Sequence, residues 1–109
     1  MSKVKVNFLP ELDFVDDPEV FREQIVGAFR RGGTANNAME AAALQDILGD
    51  IARQESEEEP VELSKSDIDV LEKHMNILIE NEDNNVPNWM AGTFGQLIRD
   101  AKIELGDDG

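Results

Sequence analysis

Hydrophobic and polar positions alternate at the start of the chain, where Val4, Val6 and Phe8 are separated by Lys5 and Asn7. A period of two carried by β-branched residues predicts a short strand, and Pro10 ends it. One strand alone leaves a row of backbone groups unpaired. Its partner is either Val61-Glu62-Leu63, the other short strand candidate, or a second chain; the alternative is an extended arm lying on the helices. Val4, Val6 and Phe8 are accordingly the candidate interface of a homodimer.

The period then changes to that of helices. Asp17 suits an N-cap and Pro18 the first helical position. Phe21, Ile25, Ala28 and Phe29 share one face, Arg30 and Arg31 complement the dipole in the last turn, and Gly32-Gly33 stops the helix. Thr34, Asn36 or Asn37 caps a second helix running to about Gln54, with Met39, Ala43, Leu44, Ile47, Leu48 and Ile51 as its expected buried stripe. Ala38, Ala41, Ala42 and Ala43 would let another helix come close. Gly49 weakens this helix by about 1 kcal/mol relative to Ala unless close packing needs it.

Residues 55–63 make an acidic connector. Pro60 breaks any continuing helix and the crowded glutamates repel one another, so an exposed or disordered loop is expected. Ser64-Lys65-Ser66-Asp67 resembles a capping box with Asp in place of Glu. Ile68, Leu71, Met75, Leu78 and Ile79 follow as the clearest amphipathic stripe, ending near Glu80, with His74 beside it at a core edge or in solvent. Pro87 and Asn88 open a last helix lined by Met90, Phe94, Leu97, Ile98, Ala101 and Leu105 and stopped by Gly106. Gly92 and Gly95 flank Phe94, so the first turns are either weak or closely packed. Trp89 is expected to anchor the preceding loop to the core. The expected fold is mainly α: a small bundle of about four helices with a short N-terminal strand or extended arm. It forms one domain over residues 1–109, with the connector between two helical pairs.

Charge narrows the range of functions. The chain has 24 acids against 10 bases, a net of −14. Most of the excess lies after Gln54. Neutralising phosphates takes Lys and Arg, so direct nucleic-acid binding is not expected, and anionic membrane surfaces are disfavoured for the same reason. No run approaches the roughly 18 apolar residues of a membrane span, and the opening MSKVKVNF does not read as a signal peptide. A basic protein partner would be attracted and its encounter accelerated.

Catalytic parts are scarce. The chain has no Cys, no Tyr and one His, and Ser2, Ser56, Ser64 and Ser66 fall in a terminus, a connector or a cap. No GxxxxGK[ST] phosphate loop occurs, and no cofactor motif is found. The stretch NEDNNVPNWMAG resembles the start of a calcium loop, but has Val86 where the turn requires Gly and Gly92 in place of the closing Glu. No metal ligand set is therefore assigned. Absence of Cys is compatible with a reducing cytoplasm.

The expected function is a non-enzymatic acidic regulator or inhibitor that occupies a basic, nucleic-acid-binding surface of a partner protein, with carboxylates standing in for phosphates. Compact acidic inhibitors of this kind are common in phages and mobile elements, which is an analogy of class. The candidate partner-binding residues are Glu55, Glu57, Glu58, Glu59 and Glu62 in the connector, with Asp67, Asp69, Glu72, Glu80, Glu82 and Asp83 on the third helix and its exit. The alternative is an assembly or adaptor subunit, in a homo-oligomer or larger complex, whose acidity serves only solubility.

Overall fold

The computed structural model describes residues 3–13, 15–32, 35–81 and 86–106. Its elements in chain order are β1 (Lys3–Val6), α1 (Glu19–Gly32), α2 (Ala38–Ala52), β2 (Val61–Ser64), α3 (Lys65–Glu80) and α4 (Asn88–Glu104). The mainly α bundle expected from periodicity is the observed architecture.

β1 pairs with β2 of the same chain, antiparallel, with Val4 opposite Leu63, Lys5 opposite Glu62 and Val6 opposite Val61. This pairing corrects the interface assigned to Val4, Val6 and Phe8. Their relative exposures are 2%, 3% and 0%. In this fold those side chains fill the chain's own core and offer no surface to a second copy. The alternation places Val4, Val6, Val61 and Leu63 inward and Lys3, Lys5 and Glu62 outward, as a half-buried antiparallel ribbon requires.

α3 is the central helix, packed against α1, α2, α4 and β2, while α4 also covers β1. Ser64 starts it with a complete capping box: the Asp67 N–H donates to Ser64 Oγ at 3.2 Å, and the Ser64 N–H donates to Asp67 Oδ2 at 3.0 Å. Ile68, Leu71 and Leu78 are fully buried, and His74 lies among them at 0% exposure, not at an edge or in solvent. Phe8, Phe21, Ile25, Ile51, Leu63 and Phe94 complete the interior. Each such side chain contributes about 1.5–3 kcal/mol relative to exposure. Two tilted ring pairs tie α1 to α4: Phe29 with Phe94 at 5.8 Å and Phe21 with Trp89 at 6.3 Å. Trp89 thus packs against the core from a partly buried position.

Three apolar residues depart from the expected stripes. Met39 is 82% exposed, Ile79 is 49% exposed, and Ala43 is also on the surface. Ile79 follows the buried Leu78 by one residue, a rotation of about 100° that carries it off the face. α2 has alanines on several sides, so its periodicity singles out one face only weakly; contact with α1 and α3 selects Leu44, Ile47, Leu48 and Ile51. Asn37 is the cap actually used, accepting from the Glu40 N–H at 2.9 Å.

Candidate acidic interface

The connector is not a free loop. Glu59 N–H donates to Ser56 O at 3.1 Å, closing a turn, and residues from Val61 onward belong to β2. Its start is held by Gln54, a polar side chain only 3% exposed. Gln54 Oε1 accepts from the Phe8 N–H at 2.9 Å, and Nε2 donates to Asn7 Oδ1 at 2.7 Å and to Ser56 O at 3.1 Å. Asn7 Oδ1 accepts in turn from the Leu9 N–H, and the Arg22 guanidinium donates to the Gln54 carbonyl. One buried amide therefore joins the exit of β1 to the end of α2, and the neighbouring carbonyl is bound from α1. Satisfying every polar group of such a network is what makes its burial tolerable.

The result is a paired set of acidic clefts. The first, of about 330 Å³, has Glu55 and Glu57 from the connector together with Glu11 and Asp17 from the segment between β1 and α1 and Glu19, the first residue of α1. The second, of about 320 Å³, has Asp50, Glu55, Glu59 and Glu62, with Arg53 as the one base in its lining. Glu55 borders both clefts and makes them one continuous acidic end. Arg53 is itself held by Asp50 at 2.6 Å. Glu58 is exposed in the turn but lines neither cleft.

Sequence reasoning missed Glu11, Asp17, Glu19 and Asp50. A signal for the first three was available. Antiparallel pairing of Val6 with Val61 sends the chain after β1 back along the chain before β2. Any acidic run on the one strand of chain must then face whatever follows Val6 on the other.

The α3 acids do not join this end as a set. Asp67 is committed to the capping box. Glu72 pairs with Lys102 of α4 at 2.6 Å. Asp69 is exposed and available, and so is Glu80. Glu80 stands thirteen residues along the helix from Asp67, about 20 Å at helical rise, which removes it from the connector. Glu82 and Asp83 lie outside the described residues. Glu62 faces Lys5 across the ribbon, which offsets part of its charge.

A second polar cluster links α2 to α3. Lys73 Nζ donates to Glu40 Oε1 at 3.0 Å and to Oε2 at 3.2 Å, and His74 Nε2 lies 2.5 Å from Glu40 Oε1. The hydrogen bond from Lys73, reinforced by its charge and by His74, holds the Glu40 carboxyl below the usual carboxylate range against partial desolvation. The buried imidazole, the carboxylate and the ammonium balance one another and lock two helices. Among the described residues no group of His, Asp and Glu has the arrangement of a metal site, and no helix is long and apolar enough to cross a membrane.

Comparison of the chain with protein-family models, with curated proteins and with solved structures finds no match.

Proposed function

We propose that the protein is a non-enzymatic acidic binding protein whose acidic end docks on the basic, nucleic-acid-binding surface of a partner protein. The observation that carries the reading is that Glu11, Asp17, Glu19, Glu55 and Glu57 share one cleft with no base in its lining, Asp17 also accepting from the Glu19 N–H and Glu19 standing 3.8 Å from Arg22. Carboxylates held on a satisfied buried network lose little conformational freedom on binding, whereas ordering a free loop costs about 1–2 kcal/mol per residue. B-DNA carries one charge per about 1.7 Å of axis, so a dense double row of acids is the kind of surface a phosphate-binding groove accepts. Asp67 and Glu72 serve the fold. The lone imidazole is buried between α2 and α3 and takes no part in the acidic end.

The test is capture of partners from a host lysate at low salt, followed by elution with duplex DNA or with salt. Partners of this kind are released by both. Neutralising the acidic end with Glu11→Gln, Glu55→Gln, Glu57→Gln and Glu59→Gln slows association by about tenfold, because rim charge acts on encounter. A comparison variant, Glu72→Gln with Glu80→Gln, leaves the rate close to wild type. Equal capture by wild type and the first variant, or partners that DNA does not displace, refutes the proposal.

A further inference from the structure

The outer face of the α1–α2 hairpin carries an open seam, separate from the acidic end. The two helices run antiparallel, since Arg22 near the start of α1 reaches the Gln54 carbonyl after α2, and Phe29 near the end of α1 borders Ala41 and Leu44 of early α2. Two cavities, of about 400 and about 300 Å³, lie along their seam and share Arg30. Val26, Phe29, Leu44 and Leu48 give the groove an apolar floor. Ala41 and Ala52 at its edge are exposed.

The rim says what covers it. Arg53, Lys73 and Lys102 each pair with a carboxylate of their own chain. Arg30 and Glu23, both exposed, make no ion pair among the described residues. They stand seven residues apart on one face of α1, about 10.5 Å along the axis, with the positive end toward the α1 C-terminus. Arg22, the other charge in the lining, is engaged by Glu19 and the Gln54 carbonyl, which leaves Glu23 and Arg30 as an edge complementary to its own antiparallel copy. The atoms nearest to a Cβ built on Gly27 or Gly49 belong to the ends of arginine side chains, Arg31 and Arg53. A second backbone can approach there once those side chains swing aside.

We propose that a second copy of this chain occupies the groove, related by a two-fold axis perpendicular to α1 and α2. α1 then lies antiparallel on α1 of the partner, and the two hairpins form an intermolecular four-helix layer. Symmetry makes the contact reciprocal: Arg30 of each copy meets Glu23 of the other. Antiparallel packing also sends the two acidic ends to opposite ends of the dimer. The length of α2, about 22 Å, exceeds the Debye length of about 8 Å at physiological salt, so their repulsion is screened. A parallel arrangement would stack like charges on like.

The experiment is sedimentation equilibrium on the full chain up to roughly 0.5 mM, with circular dichroism confirming that each variant keeps its helices. Wild type is expected to dimerise. Arg30→Glu and Glu23→Arg each turn two attractive contacts into two repulsive ones and weaken the dimer by about tenfold. The double variant carrying both reversals restores it to within about threefold, because the pair is only exchanged between copies. A wild type that stays monomeric at the highest concentration overturns the proposal. So does a dimer that neither single reversal weakens, or one that the double reversal leaves as weak as the singles.

Discussion

Replacing Gln54 with Glu keeps the shape of the side chain and changes the sign of one contact set. Oε1 still accepts from the Phe8 N–H. The amide nitrogen, which donates to Asn7 Oδ1 at 2.7 Å and Ser56 O at 3.1 Å, becomes an oxygen facing two acceptors. Two hydrogen bonds at about 1 kcal/mol each are lost, and two part-buried acceptors are left facing an anion. The expected cost is about 3 kcal/mol at neutral pH. Against a total of about 5–15 kcal/mol for a domain of this kind, that loss is large. At about 4 °C per kcal/mol it lowers Tm by roughly 12 °C. The sign with pH follows from the same contacts. A protonated carboxyl can donate to Asn7, so the folded-state pKa of the new carboxyl is raised above its unfolded value. The deficit relative to wild type is small below the unfolded pKa of about 4.3 and grows as pH rises through the folded pKa. Urea unfolding followed by fluorescence of the single Trp, Trp89, at acidic and neutral pH reads it directly. A Gln54→Glu variant as stable as wild type at pH 7 would show that the buried amide does not anchor the acidic end.

Gly92 and Gly95 are exposed within α4, and a Cβ at either meets nothing within 4 Å. Gly92→Ala with Gly95→Ala is therefore expected to raise stability by about 0.5–1 kcal/mol per site, seen as a higher urea midpoint with an unchanged slope. The Lys73 hydrogen bond lowers the Glu40 pKa, so its stabilisation is full above the unfolded carboxyl pKa and is lost as pH falls through the folded one. Glu40→Gln should accordingly destabilise at pH 7 and converge on wild type in acid; parallel pH profiles would contradict the assignment. Ser64→Ala removes the acceptor of the Asp67 N–H and is expected to cost about 1 kcal/mol by thermal unfolding. Phe8→Ala empties a fully buried site between the ribbon and the helices and should cost about 3–5 kcal/mol, enough to unfold much of the chain at 37 °C.

The secondary structure was legible because its signals are local. Alternation at Val4 and Val6, the Ser64–Asp67 box and the 3-4-3 spacing of Ile68, Leu71, Met75 and Leu78 each depend on neighbours a few residues away. Gly92 and Gly95 were ambiguous for the complementary reason: whether a glycine is crowded depends on what another element brings to it. The same holds for Met39, whose helix has alanines on several sides and is oriented only when α1 and α3 choose its inner face. Val4, Val6 and Phe8 read equally well as a core strand or an interface, and only the register with β2 assigned them to the core. The glutamate run was visible as charge, yet charge along a chain has no shape. Pairing of β1 with β2 brought Glu11, Asp17 and Glu19 to Glu55 and Glu57 across a gap of some forty residues, while the capping box and Lys102 withdrew Asp67 and Glu72. Local propensity acts through bonds between near neighbours, and a surface is made by residues that only chain reversal brings together.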